Sequence, residues 1–311
     1  MSTLTIKHST TYKYRKPVAF GEHRMMLRPL SSHDQSLIAA RLVITPTPTN
    51  LHGILDAYGN HIDIARFAGR ARELRFDSTI LLEHFHTDIH DLEIEEFARA
   101  YPFTYRADEM PDLTRFIERQ TVDSDCEVER WTRTFLPADQ SIDTRELLIN
   151  LTHGINETFR HVRRDEKGIQ PPRRTIELGS GSCRDLAMLM IDAVRSLGMA
   201  ARFVSGYLHI PGDDEGYVGG GNTHAWAQVY LPGPGWVDFD PSNGIVGNRD
   251  LIRVAVVPDP RHAIPLHGTF MGNPTDYVGM NVEVAVIAGG AAESLKPNAN
   301  AAPRINSRKS P

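Results

Sequence analysis

The stretch Leu178-Gly-Ser-Gly-Ser-Cys-Arg-Asp-Leu-Ala187 runs from a glycine- and serine-rich loop directly into a helical pattern. Apolar residues then recur at spacings of three and four as far as Leu197, and the next residue is a glycine. This pattern predicts a helix with one apolar face that ends at the glycine. Ser182 and Asp185 have the spacing of a capping box at its start. The sequence therefore places Cys183 in the first turn of a helix.

Cys183 occupies a position that can activate a thiol. A helix N-terminus carries partial positive charge and free N–H groups, which stabilise a thiolate and can hold the oxyanion of a tetrahedral intermediate. The glycines and serines before it would let a substrate approach closely. The loop matches neither a Walker sequence nor a dinucleotide fingerprint, which argues against a phosphate site. On the helix alone, a small buried apolar cysteine is the commoner alternative.

A hairpin predicted downstream supplies a base and an orienting carboxylate. The turn Leu231-Pro-Gly-Pro-Gly235 joins one strand that begins at His224 to another that ends at Asp240. These two residues therefore meet at the open end of the hairpin. A nucleophilic thiol needs a base, and the base needs an acceptor that orients it. Asp238 shares a strand face with Asp240 and is a competitor for that role.

The composition excludes several classes of protein. The 311 residues are 41% hydrophobic and 23% charged, which is typical of a globular chain rather than a fibrous or disordered one. A net charge of −5 gives no sign of a nucleic acid or an anionic membrane as a partner. The chain has two cysteines, no signal-peptide pattern and no run of 18 apolar residues. We therefore expect a soluble, cytoplasmic protein with free thiols.

No metal or other cofactor is predicted. His84, His86 and His90 lie close together, but no carboxylate or thiol completes a metal site at a recognisable spacing. We interpret them as solvated histidines of a strand. The second cysteine, Cys126, has four acidic neighbours between residues 123 and 129. Negative charge disfavours a thiolate, so we expect Cys126 to be unreactive.

The rest of the chain divides by the period of its apolar residues. Residues 1–95 alternate with a period of two between frequent turns, which predicts an antiparallel, β-sandwich-like domain. Residues 96–140 have helical spacing and form a predicted helical connector. Residues 141–290 hold the helix of Cys183 and the hairpin, and are the predicted catalytic core. Residues 291–311 are poor in large apolar side chains, which predicts a disordered tail.

Four blocks in this order resemble the bacterial transglutaminase-like family. They are Leu178–Ala187, Ala201-Arg-Phe-Val-Ser-Gly-Tyr-Leu208, Thr223-His-Ala-Trp-Ala-Gln-Val-Tyr-Leu-Pro232 and Gly235-Trp-Val-Asp-Phe-Asp-Pro-Ser-Asn-Gly244. The stretches Tyr12–Val18 and His23–Pro29 are similar to the β-rich domain that precedes the core in this family. The resemblance implies an α+β fold. The implied core is that of the papain-like cysteine protease superfamily. In this core, a helix that begins with a cysteine packs on an antiparallel sheet.

The resemblance also implies the role of each candidate residue. Cys183 matches the family nucleophile, His224 the general base, and Asp240 of Asp-Pro-Ser-Asn the orienting carboxylate. Ser242 stands where the family usually has threonine, and this departure touches no catalytic atom. The implied chemistry is thiol-dependent acyl transfer through an acyl-enzyme. Gln170 is a candidate for the second donor of the oxyanion hole.

Relatives in bacteria are commonly described as candidate cysteine proteases. We therefore expect hydrolysis of a peptide or amide bond in a peptide or protein substrate, with no cofactor. Two alternatives stay open, which are transfer to an amine by a transglutaminase and peptide binding without turnover. Trp226 and Trp236 either wall the cleft or serve in packing.

Overall fold

The structure is a computed structural model, and it describes residues 2–138, 141–164, 166, 168–210 and 220–289. The predicted tail of residues 291–311 lies outside the described residues. The helices are α1 (Met110–Ile117), α2 (Glu127–Arg133), α3 (Thr144–Thr158), α4 (Pro172–Leu178) and α5 (Cys183–Ser196). No helix within the described ranges is long and apolar enough to cross a membrane.

Most strands belong to long ladders, and β6 to β9 and β13 have two residues each. They are β1 (Ser2–Met25), β2 (Gln35–Thr45), β3 (Asn50–Leu55), β4 (His61–Arg66), β5 (Arg70–His84), β6 (Ala100–Tyr101), β7 (Ile142–Asp143), β8 (Arg160–His161), β9 (Ser180–Gly181), β10 (Ala201–Leu208), β11 (His224–Leu231), β12 (Gly235–Asp240), β13 (Ile245–Val246), β14 (Leu251–Val257), β15 (Leu266–Met271) and β16 (Tyr277–Ala288). The α+β fold class predicted from the sequence is confirmed.

The N-terminal sheet is antiparallel and is built around the long strand β1. Its order is β2-β5-β1-β4-β3, and β15 and β16 also pair with β1. The register of β1 against β5 shifts between Lys13 and Val18. Such irregularities bend a strand, and here the first half of β1 pairs with β5 and β16, whereas the second half keeps only Val18 and Ala19 on β5 and otherwise pairs with β4 and β15.

The last two strands join the N-terminal sheet, although the predicted core of residues 141–290 included them. Leu4 lies opposite Ala288, and the ladder between β1 and β16 continues without a shift to Lys13. The chain thus returns from the core to complete the sheet with which it began. The alternation of side chains predicts that a segment is a strand, but it does not say which strand it pairs with.

The core sheet has the order β13-β12-β11-β10-β14 and is antiparallel throughout. One side of helix α5 packs on this sheet, and helices α2, α3 and α4 pack on the other side of α5. The side chains from Asp185 to Arg195 are therefore buried all round, rather than on one face as predicted. The charged side chain of Asp192 is paired, with its Oδ2 2.7 Å from Nη2 of Arg119.

The two sheets pack directly against each other. Leu4 and Ile6 of β1 share an apolar cluster with Tyr207 and Ile252 of the core. Nδ1 of His8 is 3.0 Å from the Tyr207 hydroxyl, which adds a buried hydrogen bond to this interface. The N-terminal sheet is thereby held next to the start of α5, where the candidate nucleophile lies.

Candidate active site

Helix α5 begins at Cys183, as predicted. Ser182 is its N-cap, and the capping box with Asp185 is present, with the Ser182 N–H donating to Oδ2 of Asp185 at 2.8 Å. The first N–H groups of a helix have no carbonyl partner inside it. The backbone N–H of Cys183 therefore lies beside its own thiol, where it can donate to a developing oxyanion.

Asp185 also anchors the segment that leads to the catalytic helix. Its carboxylate is fully buried, accepts from the backbone N–H of Gln170 at 2.7 Å, and is 2.8 Å from Nη1 of Arg164. This guanidinium neutralises a charge that would otherwise oppose a thiolate at Cys183. The close approach of Asp185 also explains Gly181, because a Cβ there would lie 2.8 Å from the Asp185 Cβ.

Gln170 is not placed as a donor to the oxyanion. Its Nε2 donates to Thr175 Oγ1 and to the carbonyl of Ser180, both at 3.0 Å. A carboxamide nitrogen has two hydrogens, so both are used, one by Thr175 of α4 and one by Ser180 of β9. Gln170 was a candidate for this role on sequence grounds, but its side chain is held by Thr175 and Ser180 and its backbone N–H by Asp185.

The hairpin brings His224 and Asp240 together at its open end, as predicted. The register of β11 and β12 begins with Leu231 opposite Gly235, and His224 Nε2 lies 2.7 Å from Asp240 Oδ2. Both side chains are fully buried. The backbone N–H of Ser242 donates to Oδ1 of Asp240 at 2.9 Å, and Asn243 Nδ2 donates to its Oδ2 at 2.7 Å. The carboxylate is thus fixed on both oxygens.

The other ring nitrogen of His224 is left for Cys183. Nδ1 is buried and has no hydrogen-bond partner among the described residues, and the imidazole and the Cys183 thiol are close enough for each to shift the pKa of the other. Burial raises the pKa of Cys183, but hydrogen bonds with His161 and His224 outweigh it and lower that pKa to about 6. Burial lowers the pKa of His224, but Asp240 outweighs it and raises that pKa to about 10. Both shifts favour a thiolate at Cys183 and an imidazolium at His224.

Asp238, the competing carboxylate, has different partners. It accepts from Trp226 Nε1 at 2.5 Å and lies 3.9 Å from Nη1 of Arg253. Trp226 is fully buried, and the Trp236 ring lies 4.1 Å below the guanidinium carbon of Arg202. Both tryptophans therefore serve in packing, and the carboxylate that accepts the hydrogen bond from His224 is Asp240.

His161 is the residue that the sequence analysis missed. The two-residue strands β8 and β9 pair in parallel, with His161 opposite Gly181. This pairing brings the imidazole beside the Cys183 thiol, where it lines the same cavity and lowers the pKa of that thiol. A two-residue pairing has no periodic pattern, so nothing in the sequence connects His161 with a cysteine 22 positions later.

A cavity of about 630 Å³ opens onto Cys183, His161 and the start of α5. One side is formed by the core, including the arginines at 163, 164 and 184. The other side is formed by His8 and Thr10 of β1, by Met280 and Val282 of β16, and by residues 264–266 before and at the start of β15. The nucleophile therefore faces a cleft between the two sheets.

The remaining candidates lie away from the site. His84 is buried and its Nε2 is 3.1 Å from the Leu251 carbonyl, so its interpretation as solvated was wrong, because the core strand β14 packs across it. His86 and His90 are exposed but follow the end of β5. In the described parts of the chain, no three His, Cys, Asp or Glu side chains are grouped to hold a metal. Cys126 is an exposed free thiol at the start of α2.

Two family models match the chain. Residues 4–83 match the bacterial transglutaminase-like N-terminal region, and residues 140–241 match the transglutaminase-like superfamily. The second match spans the cysteine, the histidine and the aspartate of the site. The order of the two regions is the one that the sequence motifs predicted.

Relatives and a solved structure match over most of the length. Uncharacterised proteins of Mycobacterium tuberculosis and Mycobacterium bovis are 29% identical over 296 residues, which is 91% of each chain. A protein of Mycobacterium leprae is 24% identical over 305 residues, 93% of this chain and 100% of its own. The crystal structure of a candidate cysteine protease from Cytophaga hutchinsonii has a TM-score of 0.65 at 17% identity, covering 93% and 92% of the two chains. That likeness establishes a shared fold across both sheets.

Proposed function

We propose that this chain, a member of the bacterial transglutaminase-like family, is a thiol-dependent hydrolase of peptide or amide bonds. The observation that carries the proposal is one arrangement of three side chains. Cys183 begins a helix next to an imidazole, and the other nitrogen of that imidazole is 2.7 Å from the buried carboxylate of Asp240. A nucleophile, a base and an orienting acceptor in this order are the requirements of acyl transfer.

Acylation begins with the thiolate that His224 and its partners stabilise. The Cys183 sulfur attacks the carbonyl carbon, and the electron pair of the C=O bond moves to oxygen. The N–H group of Cys183 at the start of α5 donates to that oxyanion. The tetrahedral intermediate then collapses, the C–N bond breaks, and the leaving amine takes the proton from Nδ1 of His224. The product of this half-reaction is a thioester on Cys183 and a free amine.

Deacylation reverses these roles with water as the nucleophile. Neutral His224 accepts a proton from water at Nδ1, and the hydroxide attacks the thioester carbonyl. The carboxylic acid leaves as the C–S bond breaks, and the electron pair returns to Cys183. Asp240 accepts from Nε2 of His224 throughout, which holds the ring in place and stabilises the cation that is present when acylation begins and forms again in deacylation.

A peptide or protein segment is the proposed substrate. The cavity volume of about 630 Å³ is in the range of sites that enclose several side chains. Its lining combines apolar side chains, arginines and other polar residues such as Asn222 and Thr223, and this mixture suits the side chains and backbone of an extended peptide more than a single small amide.

The proposal is tested with a glutamine-containing peptide mixture, in the presence and absence of a primary amine. We expect wild-type protein to release peptide fragments or product acids under both conditions, and Cys183→Ala to release none. Hydroxylamine should intercept the thioester and give the peptide hydroxamate. Mass spectrometry of the products and of the intact protein reads out both results.

Other products would overturn the hydrolase. Exclusive formation of the amine conjugate would identify a transglutaminase. Peptide binding by both proteins without any thioester or product would identify a binding module on the same fold. The hydrolysis product, the amine conjugate and the unreacted peptide differ in mass, so the three functions are separated in one experiment.

We also propose that the protein works in the cytoplasm. Both cysteines are free thiols, and a free nucleophilic thiol persists in a reducing compartment. Fractionation of cells that express the chain should recover it with cytoplasmic markers, and recovery with extracytoplasmic markers would contradict the location.

A further inference from the structure

One face of the N-terminal sheet passes from the interface with the core into the cleft. Opposite residues of β1 and β16 share this face, in the order Ile6–Val286, His8–Val284 and Thr10–Val282. The first pair packs in the cluster of Tyr207, and the last pair lines the cavity that holds Cys183. The sheet therefore leaves the core at this point and becomes a wall of the active site.

This wall is apolar and open. Met280 and Ile264 are 51% and 41% exposed and line the cavity together with Leu266. Burial lowers the pKa of His8 to about 4, so this side chain is neutral at pH 7 and adds no charge. Exposed apolar side chains that adjoin a nucleophile mark a ligand-binding surface.

Hydrogen bonds connect this wall to helix α5, which begins at Cys183. Arg184 follows the nucleophile and donates to the carbonyl of Pro260 at 3.1 Å and to that of Ala263 at 3.4 Å. These bonds hold the segment that carries Ile264 beside the first turn of α5. The position of the wall relative to Cys183 is thus fixed by the residue next to the nucleophile.

We propose that the N-terminal sheet binds a large apolar side chain of the acyl donor, close to the carbonyl that Cys183 attacks. The inference rests on the proposed function and names the substrate class of the same site, which is peptides with an apolar residue at that position. Burial of such a side chain against Met280, Val282 and Ile264 excludes water from the cleft. The N-terminal sheet is then part of the enzyme's specificity rather than a separate module.

The test uses peptidyl acyloxymethyl ketones, Z-Xaa-Gly, that differ only in having Leu, Asp or Lys as Xaa. We expect wild-type Cys183 to react with the Leu probe about 10-fold faster than with the Asp or Lys probe. Met280→Asp should remove this preference. Val278→Asp is the matched control, since Val278 is 58% exposed on the same strand but does not line the cavity, and it should keep the preference.

An unchanged preference in Met280→Asp, or a wild-type preference for the Asp or Lys probe, would overturn the proposal. Iodoacetamide has no peptide part and reports on the thiol alone. Its rate with Cys183 should be equal in all three proteins, so a defect of the nucleophile is distinguished from a defect of recognition.

A separate contact at the nucleophile carries a second inference. His161 lines the same cavity as Cys183, and the pairing of β8 with β9 holds it there, with the Val162 N–H donating to the Gly181 carbonyl at 2.9 Å. We infer that His161 is a second catalytic residue, whose ring N–H donates to the Cys183 thiolate independently of His224. This inference also rests on the proposed function.

Two imidazoles have separate tasks in the reaction. His224 gives its proton to the leaving amine, so it is neutral when the thioester is hydrolysed. The thiolate is the leaving group of that step, and a hydrogen bond from His161 stabilises the charge as it returns to sulfur. His161 therefore supports the half-reaction in which His224 takes up a proton from water.

The second test measures the rate of iodoacetamide alkylation from pH 4 to 10 in a Cys126→Ala background. We expect a midpoint near pH 6 with His161 intact, and a midpoint higher by roughly one pH unit in His161→Leu. His161→Gln keeps an N–H donor and should stay close to the parent. His52→Leu, which alters an exposed histidine of β3, is the matched control.

Superimposable profiles for His161→Leu and the parent protein would overturn the second inference. A shift of equal size in His161→Gln would overturn it as well, because only a loss of packing would explain both. The readout is alkylation and not turnover, so it is independent of whether the protein hydrolyses peptides.

Discussion

The two cysteines have the same position in local structure, because each lies at the start of a helix. Cys126 precedes α2 with φ at 53°, and Cys183 is the first residue of α5. Cys126 is exposed and lies beside carboxylates, among them Asp125 and Glu127, which pair with Arg173. Cys183 lies beside two imidazoles and a neutralised aspartate. The comparison shows that a helix N-terminus alone does not make a nucleophile, and that the groups brought to it from other elements do.

The largest expected difference is between removal of one thiol and of the other. Cys183→Ala should lower kcat/KM by about 10⁴-fold or more, because no other group can form the thioester. Cys126→Ala should change it less than about 2-fold, since its side chain is exposed and makes no cap hydrogen bond. Initial rates of both variants on one peptide substrate provide the measurement. Equal losses would remove the distinction between the two sites.

Removal of the base should bring the reactivity of the Cys183 thiol closer to that of Cys126. His224→Ala should lower kcat/KM by about 10³-fold, because the leaving amine loses its proton donor. Alkylation of Cys183 at pH 7 should slow but not stop, since His161 still lies beside the thiol and lowers its pKa. Full retention of turnover in this variant would rule out His224 as the base.

Asp240→Asn tests the orientation of the base. A carboxamide can accept from Nε2 but does not stabilise the imidazolium, so we expect kcat/KM to fall about 10²-fold, the lower end of what general acid–base assistance contributes. Asp238→Asn is the matched control, since Asp238 contacts Trp226 and Arg253 instead of His224. A larger loss of kcat/KM in the control, at equal thermal stability, would mean that the wrong carboxylate has been assigned.

The smallest effect on catalysis is expected when Asp185 loses the cation that neutralises it. Arg164→Gln leaves the buried carboxylate of Asp185 without its cation, which should cost about 3 kcal/mol of unfolding free energy and raise the pKa of Cys183 slightly. Chemical denaturation measures the first effect and the pH dependence of alkylation the second. Arg163→Gln is the control, because Arg163 is exposed beside it. Equal stability of the two variants would contradict the role of the Arg164–Asp185 pair.

Local patterns predicted the parts of the site that depend on neighbours in sequence. The start of α5 follows from Ser182 and Asp185 three residues later, and the hairpin follows from the turn at 231–235. The proximity of His224 and Asp240 then needs only the geometry of a two-stranded ladder. The family resemblance added the choice between Asp238 and Asp240, which the strand pattern left open.

These local patterns did not predict the contacts between segments that are distant in sequence. His161 reaches Cys183 through a two-residue parallel pairing, and Gln170 turns away because Asp185 takes its backbone N–H. The return of β15 and β16 to β1 is a choice of partner among several strands with the same alternation. Each of these depends on tertiary packing rather than on the period or the capping of a single element.

The central claim is that the surroundings of Cys183, and not its position on a helix, make it a nucleophile. The most direct test is competitive alkylation of both cysteines in one wild-type sample at pH 6.5, with limiting iodoacetamide and peptide mapping. Cys183, with a pKa of about 6, should be alkylated well before the more exposed Cys126. Equal or faster alkylation of Cys126 would contradict the account.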